Sequence, residues 1–322
     1  MTTLNQIQTP IKGELARFKV HFSKVMKSKV PLLDIVLRYI VRNKGKQIRP
    51  TLVFLAARLF GATNERTYNA AALVELLHTA TLVHDDVVDE ADQRRGFFSI
   101  NAVWKNKIAV LAGDYLMSKG LLLALDNDQF QLLKALSVAV RDMSEGELLQ
   151  LDKARKLDIT EEEYFDIING KTASLLAASC RAGAQSVTDH VENHDAMWAF
   201  GQKLGMAFQI KDDLLDYGEG TGKPKWGDLK EKKLTLPLIY ALSQSSRKER
   251  RRMIGKVKQK RKRRSDMEEL MEFIRQKGGM EYAKNKMLIF KKEAMEILNT
   301  FPNSDIRASL VHLLDFVVER TA

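Results

Sequence analysis

The stretch LVELLHTATLVHDDVVDEADQRRG, residues 73–96, joins an apolar helical pattern to three closely spaced aspartates. Leucine, valine and alanine recur at three- and four-residue intervals up to Val83, which is typical of a buried helix. Residues i and i+4 share a helix face, so Asp85 and Asp89 point the same way, about 6 Å apart along the axis, with Asp86 beside them. Like charges at this spacing repel one another unless a divalent cation lies between them, and an all-oxygen ligand set suits Mg²⁺. We therefore predict a magnesium site at the end of this helix.

A second acidic cluster repeats the pattern further along the chain. DDLLD at residues 212–216 follows another apolar helix, as DDVVD does at residues 85–89. One such match is weak evidence, because exposed helix ends often carry carboxylates. Two matches, each at the end of an apolar helix, favour a shared metal-dependent role over two solvated helix ends.

The same periodicity runs through most of the chain and predicts an all-α fold. Apolar residues recur at helical spacing from PLLDIVLRYIV at residues 31–41 to AMWAFGQKLGMAFQIKDDLLDY at residues 196–217, and EEEYFDIINGKTASLLAASCRAG at residues 161–183 is predicted to form one of these helices. Alternating strand-like runs are nearly absent. Several helices are apolar on more than one face, as in the interior of a helix bundle. No linker divides the chain, so we predict a single all-α domain over residues 1–322. No segment reaches about 18 uncharged apolar residues, so no membrane span is expected.

The formal charge of +11 is concentrated in one basic segment. Residues 247–264, RKERRRMIGKVKQKRKRR, hold twelve Lys or Arg and one Glu, a net charge of +11, which leaves the remainder of the chain neutral on balance. A solvated helix–loop, with mobile residues around 255–266, is the simplest interpretation. A contact with anionic lipid headgroups is the second. Nucleic acid is not expected as a partner, because the segment has no aromatic residue to stack on bases.

Cysteine usage and the N-terminal sequence indicate a cytoplasmic protein. Cys180 is the only cysteine, so no intrachain disulfide can form. The start, MTTLNQIQTPIKGELARF, lacks the apolar core of a secretory signal. We expect a cytoplasmic protein that has, in the second interpretation of its basic segment, a peripheral contact with the membrane.

Cations accompany both acidic clusters. They are Lys46 and Arg49 before a helix that starts near Pro50, Arg94 and Arg95 after the first cluster, Lys171 in an apolar helix, and Lys223 and Lys233 after the second cluster. Each alone is a surface charge by default. Cations interleaved with metal-binding carboxylates describe a site for a polyanion, and diphosphate is the natural candidate. His78 lies two turns before Asp85 on roughly the same face, where spacing alone slightly favours a structural histidine over a ligand.

These motifs together resemble those of the trans-isoprenyl diphosphate synthases, the polyprenyl synthetase family, over residues 40–240. GKQIRP, DDVVDEADQRRG, GKTASL and FQIKDDLLDY match motifs of that family. Two positions depart from its pattern: Lys232 replaces the glycine of E-G-K-x-T-L-P, and Trp226 takes the second glycine position of G-K-x-x-G-x-D, in which Lys223 and Asp228 still align. The resemblance implies a large helical bundle of the isoprenoid synthase type with a central active-site cavity, and it implies a homodimer.

The resemblance also implies a role for each matching residue. The metal ligands would be Asp85, Asp86, Asp89, Asp212 and Asp216, which would hold three Mg²⁺ on an allylic diphosphate, with Asp213 left outside the set. That diphosphate would contact Arg94, Lys171, Thr172, Gln209, Lys223 and Lys233. Isopentenyl diphosphate would bind to Lys46, Arg49, His78 and Arg95, so the resemblance changes the interpretation of His78 from structural to ligand. The expected catalytic residues are Asp85, Asp86, Asp89, Lys171 and Asp212.

The implied reaction is a Mg²⁺-dependent prenyl transfer. The allylic C–O bond breaks to give a delocalised cation, the double bond of isopentenyl diphosphate attacks that cation, and the released pyrophosphate removes a proton to restore an alkene. In this family a bulky aromatic residue one turn before the first motif blocks the product channel. Here Ala80 and Thr81 are small, with Leu77 one turn further back, so we predict a long all-trans polyprenyl diphosphate of about the octaprenyl class, as used for quinone side chains. A shorter-chain synthase, such as one making geranylgeranyl diphosphate, is the alternative.

Three other classes of protein explain less of the sequence. A terpene cyclase usually pairs the first motif with N/D-x-x-S/T-x-x-x-E, which QIKDDLLDYGEG at residues 209–220 does not match. A non-enzymatic binding protein would leave both acidic clusters without a role. A catalytically silent subunit of a hetero-oligomer would be expected to show decayed motifs.

Overall fold

The structure, a computed structural model, describes residues 3–43, 45–94, 96–218, 226–259 and 263–320, without the side chain of Arg94. The elements of the first half are α1 (Leu4–Gln8), a 3₁₀ turn (Thr9–Ile11), α2 (Lys12–Val25), α3 (Pro31–Arg42), α4 (Ile48–Phe60), α5 (Glu65–Val88), the hairpin strands β1 (Gln93–Arg94) and β2 (Phe97–Phe98), α6 (Ile100–Leu125) and α7 (Phe130–Lys156). The second half contains α8 (Glu161–Ile168), a π-turn (Asn169–Ala173), α9 (Ser174–Gln185), α10 (Val191–Asp216), α11 (Gly227–Lys230), α12 (Leu236–Ser243), α13 (Arg247–Lys258), α14 (Arg264–Gln276), α15 (Gly279–Asn299) and α16 (Asp305–Glu319). The predicted all-α class is confirmed.

Two hydrophobic cores share the helix α10. The larger core surrounds α5 and takes side chains from both ends of the chain, and the smaller one is built from α8 and α12 to α15. Phe200 and Leu204 of α10 belong to the larger core, whereas Ile210 and Leu214 belong to the smaller one. Because α10 ends at Asp216, this shared helix carries the second acidic motif between the two cores.

Small residues let α10 approach α9 and the π-turn closely. A Cβ on Gly201 would lie 2.6 Å from the Cα of Ala177, and one on Gly205 would lie 2.5 Å from the Cα of Ala173. The two glycines are four residues apart, as are the two alanines, so each pair lies on one face of its helix. The contact between the helices therefore continues to the next turn of α10. That turn carries Gln209, which is thereby brought to the π-turn.

The helix α6 is the most apolar long helix among the described residues. By length and composition it would be able to cross a membrane, and a third of its most apolar window is buried; the core helix of a soluble protein passes the same test. Its backbone is interrupted at Lys105, whose φ is 71°. Exposed apolar side chains follow one another along it at Val103, Val110, Leu111, Leu121, Leu122 and Leu125.

Candidate active site

The first acidic motif lies where α5 ends. Asp85 and Asp86 are in its last helical turn, and Asp89 is the residue that caps it, with its N–H bonded to the carbonyl of Asp85 at 2.8 Å. The predicted i, i+4 relation of Asp85 and Asp89 is therefore present in the backbone. Asp86 is 4% exposed, whereas Asp85 is half-buried and Asp89 is exposed. The motif thus runs from a buried carboxylate to a solvated one within four residues.

A cavity of about 460 Å³ lies between α4, α5, the π-turn, α10 and α16. Three of its lining residues are Lys46, Arg49 and His78, so the structure brings together three of the residues predicted to bind isopentenyl diphosphate. An Nη atom of Arg49 lies 2.8 Å from Nε2 of His78, and Lys46 Nζ lies 5.9 Å from the ring centroid of Phe316. This position is consistent with the sequence interpretation that places His78 at the site.

His78 shares a second, smaller cavity with Asp86 rather than with Asp85. This cavity of about 90 Å³ is also lined by Thr79 and Val83 of α5, and by Phe98 of the hairpin. The two cavities share five lining residues, among them His78 and Glu75 of α5. The cavity beside the buried carboxylate of the first motif is therefore adjacent to the cavity lined by Lys46 and Arg49.

Each aspartate of the second motif is held by a different partner. Asp212 accepts a hydrogen bond from Arg320 Nη2 at 2.7 Å. Asp213, which is 1% exposed, accepts hydrogen bonds from the Tyr164 hydroxyl at 2.7 Å and from Gln209 Nε2 at 3.0 Å. Burial raises the pKa of Asp212, and Arg320 opposes that change.

Asp216 holds the start of α11. Its two carboxylate oxygens accept the backbone N–H groups of Gly227 at 2.9 Å and Asp228 at 3.1 Å. A carboxylate at the N-terminus of a helix is favourable because the first N–H groups have no partner within the helix. Asp216 therefore stabilises the start of α11, in addition to its predicted role as a metal ligand.

Lys233 is placed among the carboxylates, where it compensates their charge. Its Nζ lies 3.1 Å from Asp228 and 3.5 Å from Asp213, and its side chain is 18% exposed. Burial alone would lower the pKa of Lys233, but the two carboxylates outweigh it and raise that pKa. The pKa of Asp228 rises to about 6, because burial and the neighbouring aspartates outweigh the attraction of Lys233. The predicted diphosphate contact of Lys233 stays a prediction.

The π-turn and the adjacent turn of α10 present three polar residues that the sequence predicted for the allylic diphosphate. Lys171 Nζ contacts Glu147 of α7 at 2.5 Å, and Thr172 donates to Gln209 Oε1 at 2.8 Å. Gln209 in turn donates to Asp213. The sequence predicted an uninterrupted helix here; the extra residue of a π-turn instead interrupts it, as is frequent at functional sites.

Two loop residues occupy positions at which the family motifs have glycine, and both have a positive φ, which glycine adopts easily. Trp226 has φ 55° and Lys232 has φ 61°, both in the left-handed region. This region is unfavourable by about 1–2 kcal/mol for a residue with a side chain. Both residues therefore hold a backbone conformation that glycine would adopt at little cost.

Some predicted residues lie outside the described part of the chain. They are Arg95, Lys223 and the side chain of Arg94. Three contributors to the site were missed by the sequence reasoning: Arg320, Tyr164 and Glu147. None of them belongs to a motif, and each meets its partner over a long sequence separation.

Arg320 reaches the second motif from beyond the end of α16. Its Nη2 donates to the carbonyl of Phe208 at 3.0 Å as well as to Asp212, and its guanidinium lies 3.9 Å from the centroid of the Phe208 ring. The side chain is 13% exposed and lines the same cavity as Lys46 and Arg49. A further cation thus joins the predicted diphosphate site.

The donor chemistry fits magnesium rather than a preformed metal cage. Across the described ranges, no three Asp, Glu, His or Cys side chains converge closely enough to hold a metal by themselves. Mg²⁺ takes one or two carboxylates and completes its shell with water and phosphate oxygens. Partly accessible carboxylates such as Asp85 and Asp212 suit an ion that arrives with a diphosphate.

Residues 30–274 match the polyprenyl synthetase family. The chain belongs to this family. Two curated relatives are the all-trans-nonaprenyl-diphosphate synthase (geranyl-diphosphate specific) of Rhodobacter capsulatus, 36% identical over 98% of this chain and 97% of that protein, and the octaprenyl diphosphate synthase of Escherichia coli (strain K12), 34% identical over 98% and 99%.

Solved structures of the family have the same fold over nearly the whole chain. A polyprenyl synthase from Caulobacter crescentus, complexed with calcium and isoprenyl diphosphate, is 34% identical with a TM-score of 0.88, covering 99% of this chain and 98% of that one. A geranylgeranyl pyrophosphate synthase from Bacteroides thetaiotaomicron is 39% identical with a TM-score of 0.81, covering 99% of both chains. The predicted family, fold and trans-prenyltransferase activity are confirmed. Synthases of long and of shorter products are both among these relatives, so family membership alone leaves the product length open.

Proposed function

We propose that this polyprenyl synthetase condenses an allylic diphosphate with successive isopentenyl diphosphates into a long all-trans polyprenyl diphosphate of about the octaprenyl class. The observation that carries the proposal is the 460 Å³ cavity lined by Lys46, Arg49, His78 and Arg320, the last of which contacts Asp212 of the second motif. A cavity with convergent cations next to a metal-binding carboxylate suits a diphosphate ester.

Isopentenyl diphosphate would bind at the α4 side of this cavity. Lys46 and Arg49 supply the positive charge, and His78 supplies a ring nitrogen within hydrogen-bond distance of Arg49. Gln47, which precedes α4 with φ 51°, turns the chain so that Lys46 and Arg49 lie on either side of the helix start. Backbone N–H groups at a helix N-terminus add to the attraction for a phosphate. Arg95 is proposed as a further ligand from its position in the motif.

The allylic diphosphate would bind between the two acidic motifs. The residues proposed to hold its Mg²⁺ ions, three in number, are Asp85, Asp86, Asp89, Asp212 and Asp216. The metal would neutralise the charge that develops on the leaving diphosphate. From this chain, Lys171, Thr172 and Gln209 would orient that leaving group, together with Arg94, Lys223 and Lys233.

The protein's own contribution to the chemistry is charge compensation and the exclusion of water. Cleavage of the allylic C–O bond releases pyrophosphate and leaves a delocalised carbocation. The double bond of isopentenyl diphosphate attacks this carbocation to form the new C–C bond. The released pyrophosphate takes up the proton whose loss restores the alkene. A carbocation survives only where water is kept away, and the buried apolar wall of α5 below Asp85 provides such a surface.

We propose that the product length is set by the residues of α5 that lie one to two turns before the first motif. Ala80 is fully buried in the larger core, and Leu77 is 3% exposed, so the side chains proposed to line the channel face the protein interior. A Cβ on Gly120 of α6 would lie 3.5 Å from a Leu77 methyl, so the two helices are close together at this level. The long-chain relatives support a long product, and the geranylgeranyl synthase supports the shorter alternative.

Replacing Ala80 by Phe tests the channel. We expect Ala80→Phe to shorten the main product by several isoprene units, because an aromatic ring one turn before Asp85 would fill the space needed by the growing chain. Reversed-phase chromatography of the dephosphorylated products measures the change. Val74→Phe, at another buried position nearly two turns nearer the start of α5, serves as a control for general overpacking. Unchanged product length with Ala80→Phe would assign the channel floor to another helix, for example to Phe54, Leu116 or Met117.

The activity itself is tested with purified protein, labelled isopentenyl diphosphate, an allylic primer and Mg²⁺. Incorporation of label into butanol-soluble product is expected, and removal of Mg²⁺ with a chelator should abolish it. An absence of incorporation with geranyl, farnesyl and geranylgeranyl diphosphate as primers would overturn the proposal.

The proposed working form is a cytoplasmic homodimer with a peripheral membrane contact, which supplies polyprenyl chains such as quinone side chains. The exposed apolar side chains of α6, among them Leu111 and Leu122, support the dimer because a contiguous apolar face is costly in water. Light scattering after size exclusion would measure the mass. Leu122→Glu should shift it towards the monomer.

A further inference from the structure

The helix α13 has an apolar inner face and a basic outer face. Met253 and Val257 are buried against the smaller core. At 100° per residue, four exposed cations fall within about 100° of one another on the opposite side. We call them the basic face: Arg247, Lys248, Arg251 and Lys258.

The acidic residues around α13 are engaged by other cations. Lys256, on the inner side, contacts Asp266 at 2.5 Å and Glu269 at 2.9 Å. Glu249 caps the helix start through Ser246 and contacts Lys277 at 3.1 Å. These carboxylates thus pair with Lys256, Lys277 and Arg252, none of which belongs to the basic face.

The basic face is flat and formed before any partner binds. Gly255 lies in the middle of it, and a Cβ there would meet nothing within 4 Å. The capping box of Ser246 and Glu249 fixes the start of the helix, and the buried Met253 and Val257 hold its inner side. A preformed row of charges loses little conformational entropy on docking, so its electrostatic attraction is retained as binding free energy.

We propose that the basic face docks the enzyme reversibly on an anionic lipid surface. This assigns a surface to the peripheral contact of the proposed function, and its biological purpose rests on that function, because a long polyprenyl chain has to leave water for a membrane. Cations without exposed aromatic or apolar neighbours attract phosphate headgroups by charge alone. Nucleic acid is disfavoured because the face offers no ring on which a base would stack.

The test measures binding of the full chain to vesicles in the absence of substrate. Vesicles of phosphatidylcholine with an equal amount of phosphatidylglycerol should sediment the protein at low ionic strength, and vesicles of phosphatidylcholine alone should not. A cation near a lipid surface strengthens binding about five-fold, so changing all four residues of the basic face to Gln should weaken it by more than about 100-fold. Salt at 1 M, which shortens the Debye length to about 3 Å, should release the protein.

The matched control removes the same charge elsewhere. It changes four exposed lysines of α2 and α7 to Gln: Lys12, Lys19, Lys24 and Lys134. We expect the control to keep most of its vesicle binding, and both variants to keep prenyl transfer with soluble substrates. An equal loss of vesicle binding in both variants would overturn the proposal, because it would show that binding depends on net charge and not on the basic face. Tighter binding to single-stranded RNA than to the anionic vesicles at the same salt concentration would assign the face to nucleic acid. Because vesicle binding needs no turnover, these outcomes are independent of whether the proposed product is formed.

Discussion

The two acidic motifs have the same sequence pattern and different surroundings. In the first motif, exposure rises from the buried Asp86 to the solvated Asp89 at the end of α5. In the second motif the protein supplies the compensation itself: Arg320 for Asp212, a tyrosine hydroxyl and a glutamine for Asp213, and two backbone N–H groups for Asp216. The first motif therefore changes in exposure along its length, whereas each aspartate of the second motif is held by a described contact. The same five-letter pattern does not imply the same balance between function and stability.

The largest effect is expected from removing a charge of the first motif. Asp85→Asn should lower kcat/KM by about 10³-fold or more, because it removes a proposed ligand of the Mg²⁺ that would stabilise the charge on the departing diphosphate. The free energy of unfolding should change less than it does for Asp213→Asn, because Asp85 is half-buried whereas Asp213 is 1% exposed. Steady-state kinetics and urea unfolding measure the two quantities on the same preparation. A variant that loses stability and activity together would contradict the comparison.

Replacing an aspartate of the second motif should lower the free energy of unfolding. Asp213→Asn would leave the buried Tyr164 hydroxyl without its carboxylate acceptor and Lys233 with the carboxylate of Asp228, which we expect to cost about 1–3 kcal/mol. Urea unfolding at neutral pH measures it, with Asp228→Asn as the control that removes the other carboxylate next to Lys233. Asp213→Asn that is as stable as the unchanged protein would mean that the two motifs are alike after all.

A smaller effect is expected at Arg320, which joins the second motif to the cavity. Arg320→Gln should raise the KM for isopentenyl diphosphate about ten-fold, because one charge-assisted hydrogen-bond donor is worth about 1.5–3 kcal/mol. Arg320→Lys should recover part of this loss. Arg307→Gln, on the same helix, removes bonds to the Phe301 carbonyl and Asn299 away from the cavity and should leave KM unchanged. Equal KM values for Arg320→Gln and Arg307→Gln would remove Arg320 from the site.

The smallest effect is expected in the loop after the second motif. Lys232 has φ 61°, so Lys232→Gly should stabilise the protein by about 1 kcal/mol as the backbone strain is relieved. Glu231→Gly, one residue earlier at φ −79°, should instead destabilise it. Thermal unfolding of the two variants compares them. A destabilised Lys232→Gly would show that contacts of the lysine side chain outweigh the strain.

Most of the fold and the first acidic motif could be predicted from local sequence patterns. Helical periodicity is a property of neighbouring residues, so α5 and its acidic end could be predicted from the sequence alone. Lys46, Arg49 and His78 were found through a family motif, and the structure brings them to one cavity. Isolated residues such as Arg320 and Tyr164 could not be found in this way. Their partners are 108 or 49 positions away, at Asp212 and Asp213, and nothing in their own neighbourhood marks them.

The sequence indicated the wrong continuity at one place. Residues 161–183 were predicted to form one helix, because a π-turn changes the spacing of apolar residues by only one position. The positive φ of Trp226 and Lys232 could not be predicted either, because local preference does not favour this conformation for a residue with a side chain.

The π-turn between α8 and α9 makes this stretch sensitive to a change in chain length. Deleting one residue from positions 169–173 would produce a more regular helix and would rotate everything before it by about 100° relative to α9. The hydroxyl of Tyr164 would then swing away from Asp213. Natural variation should therefore exchange residues in this segment but not shorten it, and a codon lost here would be more damaging than one lost between α2 and α3.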